Sequence, residues 1–211
     1  MHNIIVQYIY NPLDYFRHNA ILLQVNQELY KAIFSRKNIT DLPEYYSCVS
    51  DLLETSEVQQ LGEFRHHKGT TRLQHSLNVS YYNFLLCRRL RLDACSAARA
   101  GLLHDLFLYD RKQHEPVDGE GGHCSGHPKV AFFNAVEYFP INEKEGDMIA
   151  NHMWPLSRHM PRCAETWVIQ AVDKFCALGE VFCMAARFSG RKLRLAEAFS
   201  LTLLVRLTIR L

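Results

Sequence analysis

Between residues 72 and 90 the apolar residues recur at the spacing of one helix face, which is the clearest pattern in the chain. His75, Val79, Tyr82 and Leu86 follow one another at intervals of four, three and four residues. Because an α-helix has about 3.6 residues per turn, side chains at these intervals lie on one side of it. The pattern predicts a helix from about Arg72 to Leu90, with His75 on its inward-facing side.

A second apolar segment, from about residue 164 to residue 188, predicts another long helix. One face of it contains Ile169, Asp173, Cys176 and Glu180, again at intervals of four, three and four residues. Asp173 would therefore be a carboxylate among apolar neighbours. Such a group requires a partner for its charge.

Asp93 is a typical N-cap residue for the helix that follows the first one. In that helix Ala97, Gly101, His104 and Asp105 share a face that is otherwise built of small residues. Small side chains allow a neighbouring helix to approach closely. We therefore expect His104 and Asp105 to lie where two helices converge.

The segment from residue 110 to residue 126 is polar and glycine-rich, and it predicts a loop. Proline is common at the first position of a helix, so the loop is predicted to end at Pro128. His127 would then be the cap of the next helix. His123 is the alternative to His127 for a role in this region.

A short helix is predicted after Asn142, because Asn142 and Glu145 have the spacing of a capping box. His152 falls in the last turn of this helix. Trp154 and Pro155 follow it, and a proline disfavours helical backbone in the residue before it. The helix is therefore predicted to stop there.

These elements predict an all-α fold, a helical bundle in three parts. Residues 1–42 form an N-terminal packing segment with a helix from about residue 11 to residue 35, residues 43–188 form the main domain, and residues 189–211 form a tail. The main domain begins with a helix after Pro43. The pattern assigns no role to residues 1–10 or to the tail.

The composition of the chain argues against some classes of binding partner. The chain has 24 Lys+Arg and 22 Asp+Glu, a formal charge of +2, which does not favour a nucleic-acid polymer or a membrane surface. No apolar stretch approaches the roughly 20 residues that cross a bilayer. The seven cysteines include no CxxC pair and mostly lie in apolar runs, as in a reducing compartment, so a cytoplasmic location is predicted.

The histidines and aspartates on the inward faces predict a metal site among the central helices. A buried carboxylate needs a counter-charge, and a carboxylate can bridge two ions whereas an imidazole offers one nitrogen. Asp105 is the expected bridge. The set can hold one or two divalent ions, with Fe, Mn, Co, Ni, Zn and Mg all left open. The candidate ligands are His75, His104, Asp105, His127, His152 and Asp173.

These residues and their surroundings resemble the HD-domain superfamily of metal-dependent phosphohydrolases, in the order H...HD...H...H...D. The matching segments are RLQHSLNVS, GLLHDLF, SGHPK, ANHMWP and AVDKF. The resemblance implies an all-helical fold and hydrolysis of a phosphomonoester or phosphodiester. It assigns His75, His104, Asp105 and Asp173 to a first ion, and Asp105, His127 and His152 to a second. The chain has LFLYDRK after its HD pair instead of a GYP motif, so cyclic dinucleotides are not supported as substrates.

The reaction expected from this set is attack of metal-activated water on phosphorus, with Asp105 as the central catalytic ligand. Arg72 and Lys129 are predicted to be catalytic and to bind phosphate, because each lies close in sequence to a ligand. Arg158, Lys174 and His67 are further candidates for substrate binding. His66, His114 and His159 are predicted to be solvated loop residues. The expected partner is a small phosphorylated molecule such as a nucleotide.

Two other classes of function stay open at this stage. A dinuclear site with His and carboxylate ligands can also hold iron, in an oxygenase or an oxygen-binding protein. A regulatory module that senses a nucleotide is the second alternative. The sequence indicates no oligomeric state.

Overall fold

The computed structural model of the chain describes residues 31–35, 38–67, 69–111, 122–157 and 159–188. The fold of this part is all-α, as predicted, with one small hairpin. The division of the chain at residues 42 and 188 stays a prediction, and the tail and residues 1–30 lie outside the described residues. After a short 3-10 helix, Ile39–Asp41, the elements are α1 (Pro43–Leu53), α2 (Ser56–Gln60), β1 (Arg65–His67), β2 (Thr70–Thr71), α3 (Arg72–Leu90), α4 (Ala94–Leu103), α5 (His123–Tyr138), α6 (Glu143–Asn151) and α7 (Ala164–Phe188).

Helix α3 is the central element, and its predicted bounds are confirmed. The hydroxyl of Thr71 caps it by accepting a hydrogen bond from the Gln74 N–H at 3.2 Å. Arg91 ends it in the left-handed conformation, with φ of 59°. Most of its side chains are buried, because α4 covers one side and α7 another. Helix α7 also has the predicted bounds.

Helices α3 and α4 approach each other closely at Gly101. A Cβ atom at Gly101 would lie 2.7 Å from the Cα of Ser80 and 2.9 Å from its N, which is closer than real Cβ atoms come. The Ser80 hydroxyl also donates a hydrogen bond to the carbonyl of Ala98 at 2.6 Å. The small-residue face of α4 therefore does what the sequence predicted, and it brings the residues after α4 beside α3.

Two predictions about helix ends are wrong. Helix α5 begins at His123 and contains Pro128, which was expected to be its first residue. Gly122 is the N-cap, and the turn from it is closed by hydrogen bonds from the N–H groups of Ser125 and Gly126 to its carbonyl. Helix α4 ends at Leu103, so the residues after it lie at the helix end and not within the helix.

The end of the first predicted helix is also different. Residues 31–35 form a turn, and the rest of that helix lies outside the described residues. The backbone groups of Ile33 are hydrogen-bonded to side chains of α3 and not to other turns of a helix. The Ile33 N–H donates to Asn78 Oδ1 at 2.9 Å, and the Tyr82 hydroxyl donates to the carbonyl of Ile33.

Asp147 on α6 holds the segment before α7 in place. Its carboxylate accepts hydrogen bonds from the Arg162 N–H at 2.9 Å, the Cys163 N–H at 3.2 Å and the Thr166 hydroxyl at 2.6 Å. Burial opposes ionisation, but these donors outweigh it and lower the pKa of Asp147 to about 2. The carboxylate is therefore satisfied within the fold and is structural.

We expect Asp147 to stabilise the fold only while it is ionised. Its folded pKa lies below the unfolded value of about 3.9, so its contribution is present above about pH 4 and is lost as the pH falls towards 2. The difference in unfolding free energy between wild type and Asp147→Asn should therefore shrink by about 2 kcal/mol over that interval. Urea unfolding at a series of pH values would measure it. A difference that does not change with pH would contradict this role.

The cysteines depart from the sequence-based expectation. Cys48 on α1 and Cys95 on α4 form a disulfide, with Cα atoms 5.3 Å apart. Cys87 and Cys176 are free and buried, as expected. Disulfides are uncommon in reducing compartments, so this pair does not support the cytoplasmic location, which stays a prediction.

Within the described ranges no helix combines the length and apolar character that a membrane crossing requires.

Candidate metal centre

The predicted ligands come from five helices and meet at one place. They are His75 on α3, His104 and Asp105 at the end of α4, His127 on α5, His152 at the end of α6 and Asp173 on α7. The imidazoles are at most 6 % exposed, as is Asp105 at 5 %. The Asp173 side chain is 14 % exposed. We refer to these residues together as the candidate metal centre.

One half of the centre is built around Asp173. Its Oδ1 lies 3.0 Å from His75 Nε2 and 3.8 Å from His104 Nε2. The possible ligand atoms of these residues all lie within 4.8 Å of one another. Carboxylate oxygen and imidazole nitrogen are ligands that suit Fe, Mn, Co, Ni and Zn.

Asp105 joins this half to a second group of histidines. Its Oδ2 lies 3.8 Å from His104 Nε2. Its Oδ1 lies 3.4 Å from His127 Nε2 and 3.9 Å from His152 Nε2. The two oxygens of one carboxylate thus face two sets of imidazoles, as a bridging ligand requires.

Local hydrogen bonds set the orientation of three imidazoles. Nδ1 of His104 lies 2.9 Å from the carbonyl of Gly101, and Nδ1 of His152 lies 2.9 Å from the carbonyl of Ile149. A carbonyl only accepts, so each Nδ1 is the donor. Nδ1 of His75 likewise lies 3.0 Å from a carboxylate oxygen, of Glu180. In His104 and His152, Nε2 is therefore left to face the centre with its lone pair, whereas Nε2 of His75 lies 3.0 Å from Asp173 Oδ1.

The donor set fits divalent ions. His104 Nε2 is buried and has no hydrogen-bond partner within the described part of the chain. His127 Nε2 and His152 Nε2 lie 3.0 Å apart. A cation would give the buried Nε2 of His104 the partner that burial requires.

The carboxylates of the centre are held in their charged form. Burial alone would raise their pKa values. The neighbouring imidazoles outweigh burial and hold the pKa of Asp105 and that of Asp173 well below the usual range. Both are therefore anionic ligands near neutral pH.

The imidazoles differ in their protonation. Burial lowers the pKa of His152 to about 3, and two neighbouring histidines add to the effect. Burial would also lower the pKa of His75, but its hydrogen bonds to Asp173 and Glu180 raise that pKa to about 10. A cation at Nε2 of His75 would have to displace a proton, which is usual when a protein binds a metal.

Glu180 contacts the candidate metal centre, although the sequence analysis gave it no role. Its Oε1 accepts from His75 at 3.0 Å and from Asn78 Nδ2 at 2.8 Å. The sequence pattern placed Glu180 on the same face as Asp173, which was the one signal available. Carboxylates that hold a ligand histidine in this way fix its tautomer and raise its basicity.

We expect Glu180→Ala to lower metal affinity by about tenfold to a hundredfold. His75 would lose the acceptor for Nδ1–H and with it a fixed orientation. Glu180→Gln keeps an acceptor oxygen without the charge and should restore part of the affinity. Titration calorimetry with Mn²⁺ or Zn²⁺ would measure both, with Glu137→Gln, an exposed glutamate on α5, as the control. Wild-type affinity in Glu180→Ala would contradict the role.

Arg72 is placed differently from what its predicted role suggests. Its guanidinium lies over the Phe107 ring, 3.5 Å from the centroid, and is 1 % exposed as a residue. It donates hydrogen bonds to the carbonyls of Phe107 and Tyr109. Burial is the main reason that its pKa is lowered, to about 10. Arg72 thus anchors the segment after the HD pair, and its contact with substrate stays a prediction.

Lys129 and Lys174, two of the other predicted substrate residues, lie in different surroundings. Lys129 lines a cavity of about 990 Å³ behind α5 and α6, which none of the candidate ligands lines. Lys174 is exposed and donates to the carbonyl of Gln170 at 3.2 Å. His67 lies in β1, and Arg158 and His114 lie outside the described residues. Their substrate roles stay predictions.

The prediction for His66 is wrong. It was expected to be a solvated loop residue, but it lies at the centre, with Nδ1 3.6 Å from Asp105 Oδ2. Its ring stacks on that of His75. The predicted turn that contains it is the hairpin of β1 and β2. His159 is exposed, as expected.

Residues 72–178, just over half of the chain, match the family model described as the HD domain. All the candidate ligands lie in this range, in the order that the sequence resemblance implied. The chain therefore belongs to the HD-domain family, a superfamily of metal-dependent hydrolase type. Comparisons with curated proteins and with solved structures found no match.

Proposed function

We propose that this protein is a metal-dependent phosphohydrolase that cleaves a phosphomonoester or phosphodiester of a nucleotide or a related small molecule. The observation that carries the proposal is the position of Asp105, whose two oxygens face two different sets of imidazoles. A bridging carboxylate is the feature of centres that place two ions on one phosphoryl group. The HD-domain match supports the same class.

The ligand roles in this proposal follow the two halves of the centre. His75, His104, Asp105 and Asp173 would hold one ion, and Asp105, His127 and His152 a second. Bound there, divalent ions would lower the pKa of a water ligand to near neutrality and neutralise phosphoryl charge. Burial of the imidazoles excludes bulk water and strengthens every charge interaction with the substrate.

The substrate is proposed to enter from the side of Asp173 and His66. Their side chains are 14 % and 18 % exposed, whereas His75 and His104 are at most 1 % exposed. Solvent therefore reaches the centre on this side. A phosphoryl group arriving there would meet Asp173 and His66 before it met the buried His75.

The test is a substrate screen with defined metal content. The chain is stripped of metal, reloaded separately with Fe, Mn, Co, Ni, Zn or Mg, and incubated with phosphomonoesters, nucleotides and cyclic dinucleotides. Release of phosphate or nucleoside that requires a metal supports the proposal. Bound metal without turnover of any ester would overturn it. Consumption of dioxygen by the iron-loaded protein, with every ester intact, would favour the oxygenase.

A further inference from the structure

His66 lies against the candidate metal centre, and its geometry differs from that of the ligands. Its ring is parallel to that of His75, with centroids 3.7 Å apart and an angle of 10° between the planes. Its Nδ1 lies 3.6 Å from Asp105 Oδ2, which is longer than a hydrogen bond. Distance alone would allow His66, His75 and Asp105 to share an ion.

The stacking argues against such a shared ion. The lone pair of an imidazole nitrogen lies in the plane of its ring, so a ligand histidine presents its edge to the metal. Two parallel rings stacked face to face have lone pairs in separate parallel planes. An ion between His66 and His75 would lie outside both planes. The ion that His75 holds is therefore not also held by His66 in this arrangement.

The backbone aims His66 at the centre. In the antiparallel hairpin Arg65 pairs with Thr71 and His67 pairs with Thr70, and the irregularity between these pairs falls at His66. Such a bulge inserts one extra residue, and bulges next to active sites re-aim a side chain. The hairpin is fixed to the start of α3 by the hydrogen bond from the Arg72 N–H to the Phe64 carbonyl at 2.8 Å.

Exposure distinguishes His66 from the imidazole ligands and from Asp105 as well. Its side chain is 18 % exposed, whereas that of His75 beneath it is fully buried and that of Asp105 is 6 % exposed. His66 thus lies at the solvent side of the bridging carboxylate. An imidazole has at least one N–H donor in every protonation state, and an anionic oxygen is its best acceptor.

We propose that His66 is a substrate-contacting residue, which donates an imidazole N–H to an anionic oxygen of the phosphoryl group bound at Asp105 and does not hold metal. This inference rests on the proposed function for the identity of the anion. The hairpin of β1 and β2, which contains none of the six candidate ligands, would then contribute to substrate binding. The loss of the His66 N–H donor can be measured by anion binding, without any enzymatic turnover.

The experiment compares metal binding with anion binding in the full chain. Wild type, His66→Ala, His66→Gln and His159→Ala are loaded with Mn²⁺, and their metal content and Mn²⁺ affinity are measured. Each loaded protein is then titrated with inorganic phosphate. We expect unchanged metal binding in His66→Ala and phosphate binding weakened by about tenfold to a hundredfold, the usual effect of losing a hydrogen bond to a charged group. His66→Gln retains an N–H donor and should recover part of the affinity.

Three results would overturn the inference. Loss of metal in His66→Ala would make His66 a ligand, and unchanged phosphate affinity would make it a packing residue. Failure of loaded wild type to bind phosphate would also refute it, and His159→Ala should behave as wild type. If phosphate binding weakens as expected while no ester is hydrolysed in the substrate screen, the contact stands and the hydrolase proposal fails. If an ester is hydrolysed, His66→Ala should raise KM more than it lowers kcat.

Discussion

Asp105→Asn is expected to lower metal-dependent turnover by about a thousandfold or more. Asp105 is the only described carboxylate that lies between both sets of imidazoles, 3.4 Å from His127 Nε2 and 3.8 Å from His104 Nε2. Asparagine has the same size but only one acceptor oxygen and no charge, so it does not bridge two ions. Two-metal centres supply several kcal/mol of transition-state stabilisation, which corresponds to about three powers of ten in rate. Phosphate release under saturating metal would measure the loss.

Metal content distinguishes this explanation from a general loss of structure. Asp105→Asn should bind less metal than wild type. Its far-ultraviolet circular dichroism should match that of wild type, and its unfolding should remain cooperative. Asp110→Asn is the matched control, since Asp110 is an exposed carboxylate in the same segment. Wild-type turnover in Asp105→Asn would remove the basis of the proposed function.

Gly101→Ala is expected to destabilise the protein by about 3 kcal/mol. The new Cβ would meet the Cα and N of Ser80 at 2.7 and 2.9 Å, and these backbone atoms have no rotamer by which to withdraw. Helices α3 and α4 would have to separate, which is costly in a closely packed core. For a chain of this size such a change lowers the Tm by roughly 6 to 12 °C. Thermal and urea unfolding would measure it.

The matched control for this substitution is Gly122→Ala. Nothing lies within 4 Å of a Cβ at Gly122, and its φ of −67° suits any residue. Because alanine is a poorer N-cap than glycine, we expect a loss of about 1 kcal/mol or less there. Since the Gly101 carbonyl also orients His104, the Gly101→Ala protein should bind metal more weakly as well. Equal stability of the two variants would show that the helix contact is not tight.

The sequence was informative where a pattern extends over several turns. Helices α3 and α7 have the predicted bounds because their apolar faces repeat at the helical period over 19 and 25 residues. The same faces contain His75 and Asp173. The start of α5 was wrong because Pro128 fits a first helical position as a residue type, whereas Gly122 and the hydrogen bonds to its carbonyl begin the helix earlier.

Contacts between distant segments were not predicted, because no periodicity encodes them. Glu180 meets His75 across 105 positions of sequence. His66 lies in a strand of three residues, and its direction depends on a bulge rather than on strand alternation. Arg72 was assigned to phosphate by its distance in sequence from His75, but its guanidinium is turned to Phe107. The positions of these three side chains depend on how distant segments pack together.

His104 and His152 are the C-cap residues of α4 and α6, so two helices end at the centre. A helix carries about half a negative elementary charge at its C-terminal end. The two ends add to the charges of Asp105 and Asp173. The positive charge of His75 offsets only part of this total, so the metal-free protein should repel phosphate. We expect an obligatory order of loading, in which cations enter first and reverse the local potential before any anion is admitted.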